Sequence, residues 1–307
     1  MPSQVRRVPR VADERAVRRP PGADRSIAED VLEATLAQLD VLGIRYHLGQ
    51  HVRARHRYLA GTPEQRLEDL HQAFSLPEIS AVWCLRGGYG CAQLVEAIDW
   101  PLLQQASPRP LIGFSDLSIL LSAFQQHGLP AIHGPVATVL GHQALSAPGG
   151  QRERLASTQA LWALLKGQHQ PLPVRHISGP AHAIDGQLQG GNLTALASVC
   201  GTGAELRLVE DSILILEDVG EPYYRLERSL WQLLNSFAGQ RPRAVCLGSF
   251  TDCPRRGVHH SLEQIIGEYL APLGIPLYGD LPSGHGDSNY PWSYGQKARL
   301  SGSSLSW

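Results

Sequence analysis

No stretch of the 307 residues approaches the roughly 18 consecutive apolar side chains that a bilayer-crossing helix needs, so no membrane partner is expected. Charge of one sign is also missing. The net charge is -1, which implies no whole-chain attraction to nucleic acid or to anionic lipid. The arginine-bearing N-terminus has no apolar h-region behind it and does not read as a secretory signal. Cysteines are few: Cys84, Cys91, Cys200, Cys246 and Cys253 are odd in number and scattered, with no C-x-x-C pair for a zinc ribbon or a redox motif. Cys84 and Cys246 lie in apolar, strand-like runs where a thiol acts as a small core side chain. A reduced, cytoplasmic protein is therefore expected. What remains is an ordinary globular balance, 43% hydrophobic and 18% charged, long enough for two domains.

Strand and helix patterns alternate. Ser26-Ile27-Ala28-Glu29 has capping-box spacing and opens a helix with an apolar stripe Ala28, Val31, Leu32, Leu36, Leu39, closed by Gly43. A strand over 44–48 follows, then a helix from Thr62-Pro63 to about Phe74, with threonine as cap and proline in the first turn. The run 81–85 reads as a buried strand, 94–98 as a helix, 111–113 as a strand and 116–127 as a helix. Strands and helices in this alternation imply βαβ units and a parallel sheet covered on both faces, an α/β fold. Residues 146–180 read as a connector, and 181–307 as a second domain with strands at 213–217 and 244–249 and helices at 225–237 and 262–270.

In open parallel sheets, ligands bind beyond the carboxyl ends of the strands, and three clusters fall there. Gly113-Phe114-Ser115-Asp116 is a strand end that turns into a helix. A serine at such a corner exposes its hydroxyl, and the following N–H could stabilise a tetrahedral oxyanion. The same tetrapeptide also suits a plain helix cap. Arg86-Gly87-Gly88-Tyr89-Gly90 lets a backbone approach a ligand closely and offers N–H groups. It lacks the third glycine of a dinucleotide fingerprint, because Gln93 stands there. Arg86 suits a substrate carboxylate or a structural acid equally. Glu217 ends an apolar strand, and His285 sits between glycines in Pro282-Ser283-Gly284-His285-Gly286. A hydroxyl nucleophile needs a base, and the base needs a carboxylate to fix its tautomer. His47 and His51 have helical zinc spacing, but Leu48 replaces the glutamate of H-E-x-x-H and Gly49 intervenes, so no metal is expected.

These residues resemble a known family. Residues 83–90, 111–116 and His133-Gly134-Pro135 are similar to the N-terminal half of LD-carboxypeptidases. Gly190-Gly191-Asn192-Leu193, Leu216-Glu217-Asp218-Val219, 224–228, Gly248-Ser249-Phe250 and 281–286 are similar to the C-terminal half. The resemblance implies a cytoplasmic, cofactor-free homodimer. Its domains would be a flavodoxin-like nucleophile domain at 26–145 and a smaller strand-rich domain bearing the acid and the base. It implies a muropeptide substrate: D-alanine is released from murein tetrapeptide by cleavage after the L-centre of meso-diaminopimelate, in peptidoglycan recycling. Carried over residue by residue, Ser115 is the nucleophile, Glu217 the orienting acid and His285 the base, while the N–H groups of Gly88 and Asp116 form the oxyanion hole. Arg86, Tyr89 and Asn192 are candidate substrate contacts.

One departure stands out. The family opens on a buried apolar strand, whereas residues 1–25 hold seven arginines and four prolines. They are expected not to supply a central strand, since proline cannot donate to a ladder and unpaired buried arginine is costly. Two rival functions share much of the pattern. A peptidase acting on peptide-nucleotide antibiotics would keep the triad but favour basic residues near Asn192 and Glu217, where Glu221 stands. A non-catalytic peptide-binding protein would not need the three residues intact.

Overall fold

Short runs of β-branched and aliphatic residues that end in glycine or proline set the strands, and the computed structural model describes residues 7–8, 27–146 and 151–307. The chain divides into two compact units, Met1–Leu155 and Ala156–Trp307.

The first unit contains strands β1 (Arg7–Val8), β2 (His47–Leu48), β3 (Val82–Trp83), β4 (Leu111–Gly113) and β5 (Ala131–His133). Their pairings are all parallel and give the order β2-β1-β3-β4-β5, the doubly wound order whose direction reverses between β1 and β3. Helices α1 (Glu29–Val41), α2 (Pro63–Ser75), α3 (Trp100–Gln105), α4 (Ser118–Gln126) and α5 (Thr138–Leu145) connect them. Val82, Trp83, Leu111 and Ile112 are fully buried, as a parallel strand covered on both faces requires.

Several expectations need correction. Arg7–Val8 does form a strand between two neighbours, with Arg7 in register with both His47 and Val82. A two-residue ladder needs only main-chain N–H and C=O groups, which arginine and valine both supply, so composition did not forbid it. The rest of the expectation for residues 1–25 lies outside the described residues. α1 begins at Glu29 and its cap is Ala28, with no side-chain bond; the capping box expected at Ser26 lies outside the described residues. By contrast, Thr62 and Gln65 make a reciprocal capping box at α2. The helix expected at 94–98 is two short 3₁₀ turns, Cys91–Gln93 and Val95–Ala97, and the helix proper begins one turn later where Asp99 caps α3.

The division between units falls inside α6 (Gln151–Leu165). The second unit then builds β6 (Leu172–Pro173), β7 (Arg175–Ser178), β8 (Ile184–Asn192), β9 (Ser212–Val219), β10 (Ala244–Thr251), β11 (Leu277–Gly279), β12 (Trp292–Ser293), β13 (Lys297–Ser301) and β14 (Ser304–Ser306). β6 and β7 thus give sheet structure to part of the stretch read as a connector. An eight-stranded mixed sheet has the order β6-β14-β13-β8-β9-β10-β11-β7, with β8 to β11 parallel at its centre. Helices α7 (Leu193–Ser198), α8 (Tyr223–Ser236) and α9 (Leu262–Leu270) supply Leu196, Leu226, Leu230, Leu233 and Ile266 to one core with Leu214 and Leu216 of β9. The alternate residues Ile213 and Ile215 are equally buried, so β9 has no solvent face. A carboxylate at its end is therefore carried into the interior.

Candidate active site

In the first unit, β4 ends at Gly113 and the chain turns through Phe114 into a 3₁₀ turn, Ser115–Leu117, that leads into α4. A side chain at 113 would stand 2.3 Å from Cδ1 of Leu117, so only glycine lets the turn fold back so tightly. Ser115 has φ +70°, the left-handed region that an L-residue enters at a cost, and it is 4% exposed. A serine strained in this way between strand and helix is also found at nucleophile elbows.

The Arg86–Gly90 turn follows β3 at the position where the strand order reverses. Gly88 and Gly90 take φ +139° and +108°. Arg66 is buried and holds this turn: Nη1 donates to the Gly90 carbonyl at 3.1 Å and Nη2 to Oε1 of Gln93 at 2.9 Å. The Cys91 N–H donates to Oδ2 of Asp116 at 2.9 Å, tying the glycine turn to the turn that bears Ser115. Burial draws the Arg66 pKa down, while the Asp116 carboxylate favours its charge. Tyr89 is exposed and its ring lies 5.8 Å from that of Tyr58, and Arg86 is half-buried.

In the second unit, Glu217 lies near the end of β9, fully buried. Nδ1 of His285 stands 2.5 Å from Oε2 of Glu217, and the His285 backbone N–H donates to the same oxygen at 3.2 Å. With the proton on Nδ1, the lone pair lies on Nε2, the tautomer of a general base. The register of β9 with β10 breaks between Leu247 and Phe250. Into that break comes the loop after β11: the Ser249 N–H donates to the Ser283 carbonyl at 2.8 Å, and Ser249 bridges Gly284 in parallel. A β-bulge beside a functional group re-aims the chain, and here it makes room for the histidine loop.

Asn192, opposite Glu217 on β8, has both ends of its amide engaged. Oδ1 caps α7 at the Ala195 N–H, and Nδ2 donates to Oδ1 of Asp218 at 3.3 Å. Asp218 also accepts from the backbone N–H groups of Thr194 and Val219. Burial, and secondarily the charge of Glu217, raise its pKa to about 6, while the bonds from Thr194 and Val219 oppose the rise. Sequence reasoning missed Asp218 and Arg66 as builders of the site. Asp218 is signalled by standing next to Glu217 in a strand with no solvent face. Arg66 sits among helix-surface residues and carries no such signal. Among the described residues, no group of three or more His, Cys, Asp and Glu is placed to hold a metal ion, and His51 is engaged with Asp69 and Glu68.

The doubly wound first unit carries a strained serine turn, and the second unit carries a buried glutamate–histidine pair; each is a feature that serine-type hydrolases use. Residues 20–134 match the LD-carboxypeptidase N-terminal domain and residues 185–300 its C-terminal domain, and the chain belongs to the LD-carboxypeptidase family. It is 64% identical over 282 residues to murein tetrapeptide carboxypeptidase of Pseudomonas aeruginosa, covering 92% of each chain. Muramoyltetrapeptide carboxypeptidase from Oxalobacter formigenes superimposes with TM-score 0.74 at 25% identity, over 91% of this chain and 93% of that one. The microcin C7 self immunity protein MccF superimposes with TM-score 0.82 at 16% identity, over 100% and 96%, a likeness of fold.

Proposed function

We propose that the protein is a serine carboxypeptidase that releases the terminal D-alanine of murein tetrapeptides, with Ser115 as nucleophile, His285 as general base and Glu217 as the acid that orients it. The observation that carries the chemistry is the Glu217–His285 bond, 2.5 Å between a fully buried carboxylate and a largely buried imidazole. A carboxylate so placed fixes the Nδ1–H tautomer and stabilises the imidazolium formed when Nε2 takes the serine proton. The substrate class rests on the similarity along 92% of the chain to murein tetrapeptide carboxypeptidase.

In this scheme Oγ of Ser115 attacks the carbonyl of the L-centre of diaminopimelate while His285 takes its proton. The N–H groups of Gly88 and Asp116 receive the oxyanion. His285 then protonates the amine of D-alanine, which leaves, and water hydrolyses the acyl-enzyme by the same route reversed. Arg86 and Tyr89 are proposed to contact the substrate. Asn192 is proposed as a further substrate contact, its amide oriented by the Ala195 N–H and Asp218. No step calls for a metal, so turnover survives exhaustive chelation, and loss reversed by zinc would overturn the scheme.

The peptide-nucleotide reading is less well supported. Glu221 stands four residues after Glu217, and Arg225 pairs with it at 3.4 Å, which offsets the cation a nucleotide phosphate would want. The enzyme is proposed to act in the cytoplasm as a homodimer, which sedimentation tests directly. Incubation with L-Ala-γ-D-Glu-meso-diaminopimelate-D-Ala, with mass detection of alanine, tests the activity and separates it from mere peptide binding.

A further inference from the structure

The loop from Leu281 to Pro291 carries His285, whose ring and backbone N–H both meet Oε2 of Glu217. What fixes the loop lies on either side. Its ends are joined by the Tyr290 N–H, which donates to the Pro282 carbonyl at 2.8 Å. Inside it, Oδ1 of Asn289 accepts the Gly284 N–H at 2.9 Å and lies 3.5 Å from the Ser283 hydroxyl oxygen. Ser283 Oγ in turn accepts from Nε1 of Trp292 at 3.2 Å. Asn289 is anchored in its own right: its N–H donates to Oγ of Ser157 on α6 at 2.9 Å, and it is 8% exposed.

The N–H that Asn289 accepts belongs to the Ser283–Gly284 peptide, one peptide unit before His285. Gly284 takes φ +112°, and its next neighbour along the chain donates its N–H to Oε2 of Glu217. A rotation of that peptide displaces the backbone N–H and the imidazole of His285 together. The amide of Asn289 is also used unequally. Its oxygen is committed to the loop, whereas Nδ2 is buried with no partner. Retaining a buried amide with one orphaned end costs stability, so the site keeps Asn289 for its oxygen.

We propose that Asn289 is a positioning residue for His285, its Oδ1 holding the Gly284 N–H so that the imidazole stays against Glu217. This rests on the reading of His285 as the base. Asn289→Ala removes the acceptor and frees the peptide. Asn289→Asp keeps an oxygen in the same place, and burial favours its neutral, protonated form.

The test combines steady-state kinetics with the low-field proton resonance of the His285 Nδ1–H, assigned by its loss in His285→Gln. Asn289→Ala is expected to lower kcat by about tenfold to a hundredfold with KM within about twofold, the scale of a misplaced catalytic group. Its low-field resonance broadens or disappears. Asn289→Asp recovers most of kcat and the resonance. Ser157→Ala loosens Asn289 without changing it and gives the same loss in smaller measure, which keeps the test open if Asn289→Ala does not fold. A folded Asn289→Ala with wild-type kcat and an unchanged resonance overturns the proposal, as does equal loss in the Ala and Asp variants. The resonance is read without substrate. An inactive wild-type protein that shows the same pattern therefore counts against the assigned reaction and not against the role of Asn289.

Discussion

Glu217 fills the space that a side chain at Gly284 would need: a Cβ there would lie 2.6 Å from Oε2 of Glu217 and 2.7 Å from its Cβ. The glycine before His285 is therefore a matter of room as well as of its φ of +112°. It lets the loop press its backbone onto the carboxylate, which then receives two N–H donors from one residue.

Gly284→Ala follows directly. The methyl group must push Glu217 aside or move the loop, and either breaks the acid–base contact. We expect kcat to fall by at least about a hundredfold, and stability by about 1–3 kcal/mol from overpacking with a further cost from the φ. Kinetics and chemical denaturation measure the two effects separately, and wild-type values in both would contradict the geometry.

Ser115 offers a different dissociation of activity from stability. Ser115→Ala should fold normally and lose at least about a thousandfold in kcat, as for loss of a triad nucleophile. Ser115→Gly should be equally inactive yet more stable than Ser115→Ala by about 1 kcal/mol, because glycine takes φ +70° without strain. Equal melting temperatures for the two variants would show that the turn is not strained.

The parts legible in the sequence were those fixed by local chemistry. Leu111–Gly113 and Leu262–Leu270 stand where periodicity put them, since an apolar run bounded by proline or glycine, or opened by a capping serine, leaves little choice. The Glu217–His285 contact was not legible from spacing, since 68 residues separate its partners, and it became expected only through family resemblance. Arg7–Val8 was misjudged because side-chain composition says little about a pairing made by backbone groups alone. Asn289 was passed over because its partners Gly284 and Ser157 belong to a loop and a helix whose approach no pattern encodes.

An exopeptidase must seat one terminal residue and its carboxylate. An added D-alanine moves the bond after diaminopimelate away from the chain terminus that the enzyme reads. Tetrapeptide should therefore release D-alanine while the pentapeptide, ending in D-Ala–D-Ala, is left essentially uncut. If Arg86 seats the carboxylate, Arg86→Ala raises KM for the tetrapeptide with little change in kcat, the mark of lost ground-state binding. Comparable turnover of the two peptides would refute the specificity and leave the roles of Ser115, Glu217 and His285 standing.

Asp218 makes the fold itself sensitive to pH. Its carboxyl titrates near 6 in the native protein against an ordinary 3.8, chiefly because it is buried and secondarily because Glu217 lies beside it. Between those values the native state binds more protons than the unfolded chain. Stability from this group is thus greatest in acid and falls as pH rises through the window from about 4 to 6. Above pH 6 the ionised carboxylate carries its full cost, on the order of 3 kcal/mol by the size of the shift. Asp218→Asn abolishes the titration while keeping an acceptor oxygen for part of the set that Asn192, Thr194 and Val219 supply. Denaturation at pH 4.5 and 7.5 should show a pH dependence that differs between wild type and Asp218→Asn by about 2 kcal/mol, with the variant losing less on the way up. Carboxylates remote from Asp218 titrate alike in both proteins, so the difference reports this group together with its coupling to Glu217. Parallel pH profiles would mean that Asp218 ionises as freely in the folded chain as in the unfolded one.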